Sequence, residues 1–130
     1  AAEYEAWIRE AGGIDWQLLG IGRDGHVGFN EPGSDGETRT RRVDLADETR
    51  EDAAPTFGGL EYVPTHAMTM GVGTILEAKR IVLIARGAGK KEIVVEALTA
   101  DVGPHVPASY LRGHQNVGWF LDHAAAGIDA

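Results

Sequence analysis

The segment from Arg80 to Arg86 limits the possible folds more than any other. Five successive apolar residues, Ile81-Val82-Leu83-Ile84-Ala85, leave it no polar side, so it reads as a strand buried on both faces. Gly87-Ala88-Gly89 then turns the chain into a helix over roughly 90–100, with Ile93, Val94, Ala97 and Leu98 facing inward. Trp16 to Ile21 repeats the pattern as a short apolar run bounded by glycine. Strands of this kind alternating with helices imply a parallel α/β sheet. Such sheets bind ligands beyond the carboxyl ends of their strands. The segments after Ile21 and Arg86 lie at two of those ends.

The other elements are shorter. Residues 1–11 predict a helix end with Tyr4, Ile8 and Ala11 on one face, stopped by Gly12-Gly13. Residues 22–50 are poor in apolar positions and rich in Gly, Asp, Arg and Thr, which predicts a long functional loop. Asp47 to Ala54 predicts a short helix that Pro55 ends. Ala67 to Met70 predicts a brief strand, Gly71 to Ala78 a turn into a short helix, and Pro107 to Gly113 another short helix. Val117 to Leu121 reads as a last strand before an alanine-rich tail, and no internal repeat is present.

With 130 residues the chain has room for one domain with a real core. No window holds the eighteen apolar residues of a membrane span, and Ala-Ala-Glu-Tyr-Glu lacks the basic and apolar regions of a signal peptide. A membrane role is therefore not expected. The absence of cysteine excludes disulfide and thiolate chemistry and fits a reducing cytoplasm, the expected location. A net charge of -8 argues against nucleic acid as a partner. An anionic metabolite remains compatible, provided a few cations and backbone N–H groups are gathered locally.

The chemistry is concentrated in Leu18-Leu19-Gly20-Ile21-Gly22-Arg23-Asp24-Gly25-His26-Val27-Gly28-Phe29-Asn30-Glu31-Pro32. Its glycines match a dinucleotide-binding turn, but Gly28, Asn30, Pro32 and Gly33 follow at once. No helix of useful length can start there, and that reading fails. Asp24 and Glu31 on either side of His26 make better sense. Flanking carboxylates fix an imidazole's tautomer and raise its basicity, as general acid–base work near neutral pH requires. The same three side chains are conceivable metal ligands, but no second histidine stands at a ligand spacing, and no metal is expected. Lys90, after a strand and a glycine turn at the start of a helix, suits an anion site.

The run Gly-Ile-Gly-x-Asp-Gly-His-Val-Gly-Phe-Asn-Glu-Pro resembles the signature of the glucosamine-6-phosphate deaminases, also called isomerases. The likeness continues through Thr38-Arg39-Thr40-Arg41, through Val63-Pro64-Thr65-His66-Ala67-Met68-Thr69-Met70-Gly71-Val72-Gly73-Thr74-Ile75-Leu76, and through Gly87-Ala88-Gly89-Lys90. The related 6-phosphogluconolactonases share the Asp-Gly-His core. The resemblance implies a Rossmann-like three-layer α/β sandwich with a mostly parallel sheet. It also implies conversion of an amino sugar phosphate to a keto sugar phosphate plus ammonia, without a cofactor. His26 would protonate the ring oxygen during opening of the pyranose, Asp24 and Glu31 would set its orientation and charge, and Lys90 would bind the substrate phosphate. Arg39 and Arg41 are expected to order the long loop or to serve an interface, which leaves a homo-oligomer open.

The resemblance also implies that part of the domain is missing. Family members carry an upstream glycine-rich phosphate loop and an aspartate that moves the proton between carbons, and neither has a counterpart here. Residues 1–130 are therefore expected to be the C-terminal part of a single sugar-phosphate isomerase/deaminase domain, inactive alone. Many members also carry a phosphate-binding arginine where this chain has Pro55, which makes galactosamine 6-phosphate an alternative to glucosamine 6-phosphate. Arg42-Val43 stands where allosteric members keep a lysine, so allosteric activation is not expected. Lactone hydrolysis and non-catalytic sugar-phosphate sensing are the other readings.

Overall fold

The computed structural model describes residues 1–128. Helix α1 (Ala2–Glu10) leads to strand β1 (Trp16–Leu19). Strand β2 (Arg41–Asp44), helix α2 (Asp47–Phe57), strand β3 (His66–Thr69) and helix α3 (Val72–Leu76) follow. Strand β4 (Arg80–Ala85), helix α4 (Lys91–Thr99), strand β5 (Val117–Leu121) and helix α5 (His123–Ala126) complete the order. The fold is α/β with a parallel sheet of order β1-β4-β5, as the apolar runs predict. A separate antiparallel pair, β2 with β3, is inserted between β1 and β4.

The parallel register sets Leu18 beside Val82 and Gly118, and Leu19 beside Leu83 and Trp119. Alternation therefore divides the sheet into two faces. Leu19, Ile81, Leu83 and Ala85 are buried with Ile75, Ile93, Val94 and Ala97 in one apolar cluster that binds α3 and α4 to the sheet. The opposite face, bearing Trp16, Leu18, Ile84 and Phe120, is open. Residues 1–128 thus build a helical layer on one side of the sheet.

Local expectations change at several points: Leu98 is exposed on α4 instead of facing inward, and Ile84 is exposed on β4, which is buried on one face only. The stretch 22–50 is not loop throughout, because Arg41–Asp44 pairs with His66–Thr69, Arg41 opposite Thr69 and Asp44 opposite His66. Helix α2 also runs through Pro55 to Phe57, where Gly58 closes it with a positive φ of 82°. Pro55 removes one N–H near the end of an exposed helix, and the carbonyl left free there belongs to the exposed Glu51 and is not stranded in a core.

The inserted unit is tied down by polar contacts. Asn30 is fully buried; its amide donates to Val27 O at 2.9 Å and Met70 O at 2.8 Å, while Oδ1 accepts from Arg41 Nη1 at 2.8 Å. Glu5, buried on α1, accepts from Thr40 N, Thr40 Oγ1, Thr74 Oγ1 and Arg39 Nη2 at 2.8, 2.7, 2.5 and 2.6 Å. Arg39 also reaches Glu77 at 2.7 Å. Both arginines hold the long connection in place. Gly71 is required there, since a Cβ at that position would overlap the Thr38 carbonyl. No helix among the described residues is long and apolar enough to cross a membrane.

Candidate active site

Beyond the carboxyl end of β1 the chain turns back sharply. Gly22 N donates to His26 O at 2.9 Å and Gly25 N to Gly22 O at 2.9 Å. The His26 ring lies so close over Gly22 that a Cβ there would overlap it. This turn brings Asp24 and His26 together. His26 N donates to Asp24 Oδ1 at 3.1 Å, and His26 Nδ1 lies 2.6 Å from the same oxygen. Glu31 Oε2 lies 3.6 Å from Nδ1 on the other side. All three side chains are largely buried.

Thr49 completes the group. It is the buried residue of α2, and its hydroxyl donates to Glu31 Oε1 at 2.6 Å while lying 3.3 Å from His26 Nδ1. Sequence reasoning passed over it. The available signal was one short polar side chain among the charged positions of Asp47-Glu48-Thr49-Arg50-Glu51-Asp52. Asn30 likewise carries no local signal of its anchoring role within its motif.

The electrostatics divide the two acids. Burial disfavours the Asp24 charge, but the His26 hydrogen bond and the imidazolium outweigh it, and Asp24 stays well below the usual carboxylate range. Burial pushes Glu31 up to about 7, helped by Asp24 and opposed by the Thr49 hydroxyl and by His26. For His26, burial opposes the charge, but Asp24 and Glu31 together raise its pKa despite the nearby Lys90 ammonium. Two acids this close cannot both ionise cheaply, so a proton retained on Glu31 relieves them. Asp24 Oδ2 and Glu31 Oε2 are both buried without another partner, which suits such a proton.

Asp24, His26 and Glu31 each offer a ligand atom, and these lie within 4.8 Å of one another. A cation taking Nδ1 would have to break the 2.6 Å contact between His26 and Asp24. The arrangement serves proton transfer better. With Nδ1 held by Asp24, Nε2 is the ring nitrogen available for exchange.

A cavity of about 460 Å³ opens beside the group, lined among others by Gly22, His26, Phe29, Thr49, Ala53 and Lys90. A hollow of about 440 Å³ near Tyr110 and His114 is comparable in size. Its His114 Nε2 is already bound to Ala78 O at 2.7 Å, and it holds no acid pair. Chemistry, not size, singles out the His26 cavity. Lys90 ends a short 3-10 turn, Ala88–Lys90, just before α4, and its Nζ donates to Ile21 O at 2.8 Å. The ammonium is thus held at the end of β1, opposite the acid–base group.

Residues 1–119 match the family described as glucosamine-6-phosphate isomerases/6-phosphogluconolactonase. The chain belongs to that family. Among its relatives, the glucosamine-6-phosphate deaminase of Rhodopirellula baltica is 53% identical over 126 residues, covering 97% of this chain and 50% of the relative. That of Mycolicibacterium smegmatis is 52% identical, covering 96% and 48%. A solved monomeric glucosamine-6-phosphate deaminase superposes with a TM-score of 0.94 at 42% identity, covering 98% of this chain and 53% of that one. The 6-phosphogluconolactonase of Trypanosoma brucei superposes less closely, with a TM-score of 0.61 at 29% identity over 87% of this chain and 41% of the other. The chain spans about half the length of the curated relatives it matches.

Proposed function

We propose that this chain is the C-terminal part of an amino-sugar-phosphate deaminase domain and carries its ring-opening group. The observation that supports this most is the imidazole fastened through Nδ1 to Asp24 at 2.6 Å, with Glu31 and Thr49 behind it and a cavity in front. The R. baltica and M. smegmatis relatives, both named glucosamine-6-phosphate deaminase, favour glucosamine 6-phosphate over a lactone.

Opening a pyranose breaks the C1–O5 bond, removes the C1 hydroxyl proton and supplies one to the ring oxygen. An imidazole with a raised pKa can hold the second proton near neutrality and then recover one. Asp24 stays charged throughout and stabilises the imidazolium. Glu31, poised near 7, absorbs the change in charge as the ring nitrogen gives up its proton. Lys90 would take the substrate phosphate, exchanging the Ile21 carbonyl for a stronger acceptor. Later carbon-to-carbon proton transfer needs a further base, and the carboxylate that lines the cavity, Asp52, is paired with Arg23 at 3.3 Å, so the chain alone is inactive on this reading.

The test joins the preceding half of the R. baltica enzyme to this chain and follows ammonia release from glucosamine 6-phosphate and galactosamine 6-phosphate, with 6-phosphogluconolactone hydrolysis in parallel. Turnover of glucosamine 6-phosphate that His26→Asn abolishes is expected. A folded hybrid that releases no ammonia from either sugar, or that hydrolyses only the lactone, overturns the reading. Preference for galactosamine 6-phosphate would favour that alternative substrate, and Pro55→Arg in the same hybrid would then test whether that position sets the choice.

A further inference from the structure

Lys90 is not the sole cation at the His26 cavity. Arg23 follows Gly22, which lines the cavity, in the turn that seats His26. Its guanidinium lies against Asp52, another lining residue, with Nε 3.3 Å from Oδ2 and Nη2 3.3 Å from Oδ1. Nη2 also lies 3.5 Å from Glu48 O and 3.6 Å from Glu51 Oε2. All of these partners belong to α2, so the guanidinium reaches from the turn to the helix beside the cavity.

These contacts do not use the guanidinium up. Strong charge-assisted pairs close to about 2.7–2.9 Å, as Arg39 does on Glu77 at 2.7 and 2.9 Å. Those of Arg23 are all longer, and the Arg23 and Asp52 side chains are each 52% exposed. An exposed pair of that kind adds little stability. Nη1 makes no hydrogen bond or ion pair with the described residues, which leaves both of its N–H groups free to donate.

The charges around the cavity favour a second cation. A phosphate monoester carries about −1.5 to −2 charges near pH 7. Lys90 offers a single ammonium, and Asp52 sets a carboxylate on the same wall. Arg50, the cation of α2, is turned instead to Leu60 O and Val63 O, both at 3.3 Å. Unless Arg23 neutralises it, Asp52 repels the anion that Lys90 attracts.

We propose that Arg23 is a second phosphate-binding residue of this site. Asp52 holds the guanidinium at the cavity wall, and Nη1 donates to the phosphate that Lys90 also binds. The planar guanidinium adds direction where the ammonium is a point charge. The identity of the substrate rests on the amino-sugar-phosphate reading above; the choice of Arg23 rests on its geometry with Asp52.

The 130-residue chain is titrated with inorganic phosphate against chloride at matched ionic strength, and the arginine side-chain nitrogen signals are followed by NMR. The signal lost in Arg23→Gln should be the one that phosphate moves in the parent. Arg23→Gln should raise the phosphate Kd about fivefold or more, and Arg23→Lys, which keeps the charge without the fork, should fall between. Arg9→Gln, on α1 before the other end of β1, should stay within about twofold, since screened charges at that remove act weakly. In the joined hybrid, Arg23→Gln should raise KM for glucosamine 6-phosphate about fivefold or more with kcat little changed, as loss of uniform binding does. An Arg23 signal that phosphate does not move overturns the proposal. So does equal weakening in Arg23→Gln and Arg9→Gln, or a fall in kcat at parent KM, which would make Arg23 a brace for α2. Phosphate binding that depends on Arg23 in a hybrid releasing no ammonia upholds the contact and counts against the proposed function. Ammonia release by Arg23→Gln at parent KM does the reverse.

Discussion

The Thr49 hydroxyl stands between Glu31 and His26, 2.6 Å from Glu31 Oε1 and 3.3 Å from His26 Nδ1. It has one proton to give and gives it to the carboxylate. Thr49→Val keeps the shape of the side chain and removes that hydrogen bond, with an expected stability loss of about 1–2 kcal/mol. Glu31 should then titrate above 7, and His26, facing a carboxyl more often neutral, should titrate lower than in the parent. Imidazole nitrogen NMR across pH 5–9 reads both changes. Thr49→Ser should restore the parent curve; an unchanged His26 titration in Thr49→Val would show that the hydroxyl only fills space.

Glu31 gives the fold a pH dependence of definite sign. Its pKa rises from 4.5 to about 7 on folding, so the folded state holds that proton more tightly than the unfolded state. The associated stability is fully present below about pH 4.5 and is lost as pH rises through about 7. Glu31→Gln removes this dependence. Relative to the parent, the variant should gain stability between urea unfolding curves at pH 5 and pH 8. A relative loss over that interval contradicts the retained proton.

Glu5 behaves in the opposite sense. Burial opposes its charge, but Thr74, Thr40 and Arg39 bind the carboxylate and hold its pKa at about 2 against an ordinary 4.5. Its stability is present above about 4.5 and is lost as pH falls toward about 2. Thermal melts at pH 7 and pH 3 should therefore differ more for the parent than for Glu5→Gln. The substitution should itself cost about 2 kcal/mol at pH 7, from charge-assisted bonds no longer made.

Gly22→Ala tests the seat of the imidazole. The new methyl group would overlap the His26 ring and force it off Asp24. In the joined hybrid, turnover should fall by about a hundredfold or more while the folded spectrum is kept, since small displacements of a reacting group are that costly. Gly113→Ala, whose Cβ would meet open space, is the matched control and should stay near parent activity.

The parallel core was legible because strand and helix periodicities disagree so visibly in this chain. Ile81 to Ala85 has no polar position, and Ile93, Val94 and Ala97 recur at helical spacing, so sheet and cover could be assigned before any contact was known. Strand β2 was not legible. Arg41-Arg42-Val43-Asp44 lacks an apolar alternation, and its pairing is imposed by β3 and by Asn30 holding Arg41. The end of α2 was misread because an exposed last turn tolerates Pro55. At the site, Asp24, His26 and Glu31 stand close in the sequence and could be grouped by spacing, although their roles rest on the resemblance. Thr49 reaches Glu31 from eighteen positions away, across a fold that no local pattern encodes.

Strand β1 has its hydrogen-bonded neighbour in β4, so Trp16 waits for Arg80 while the whole β2–β3 unit lies between them. On a ribosome releasing chain from its amino end, the small antiparallel unit can close first, from residues near one another in sequence. The turn bearing Asp24 and His26 must wait until β4 has emerged to fix the strand it hangs from. The acid–base group therefore takes shape only once β4 has been made, although its own residues precede that strand in the chain.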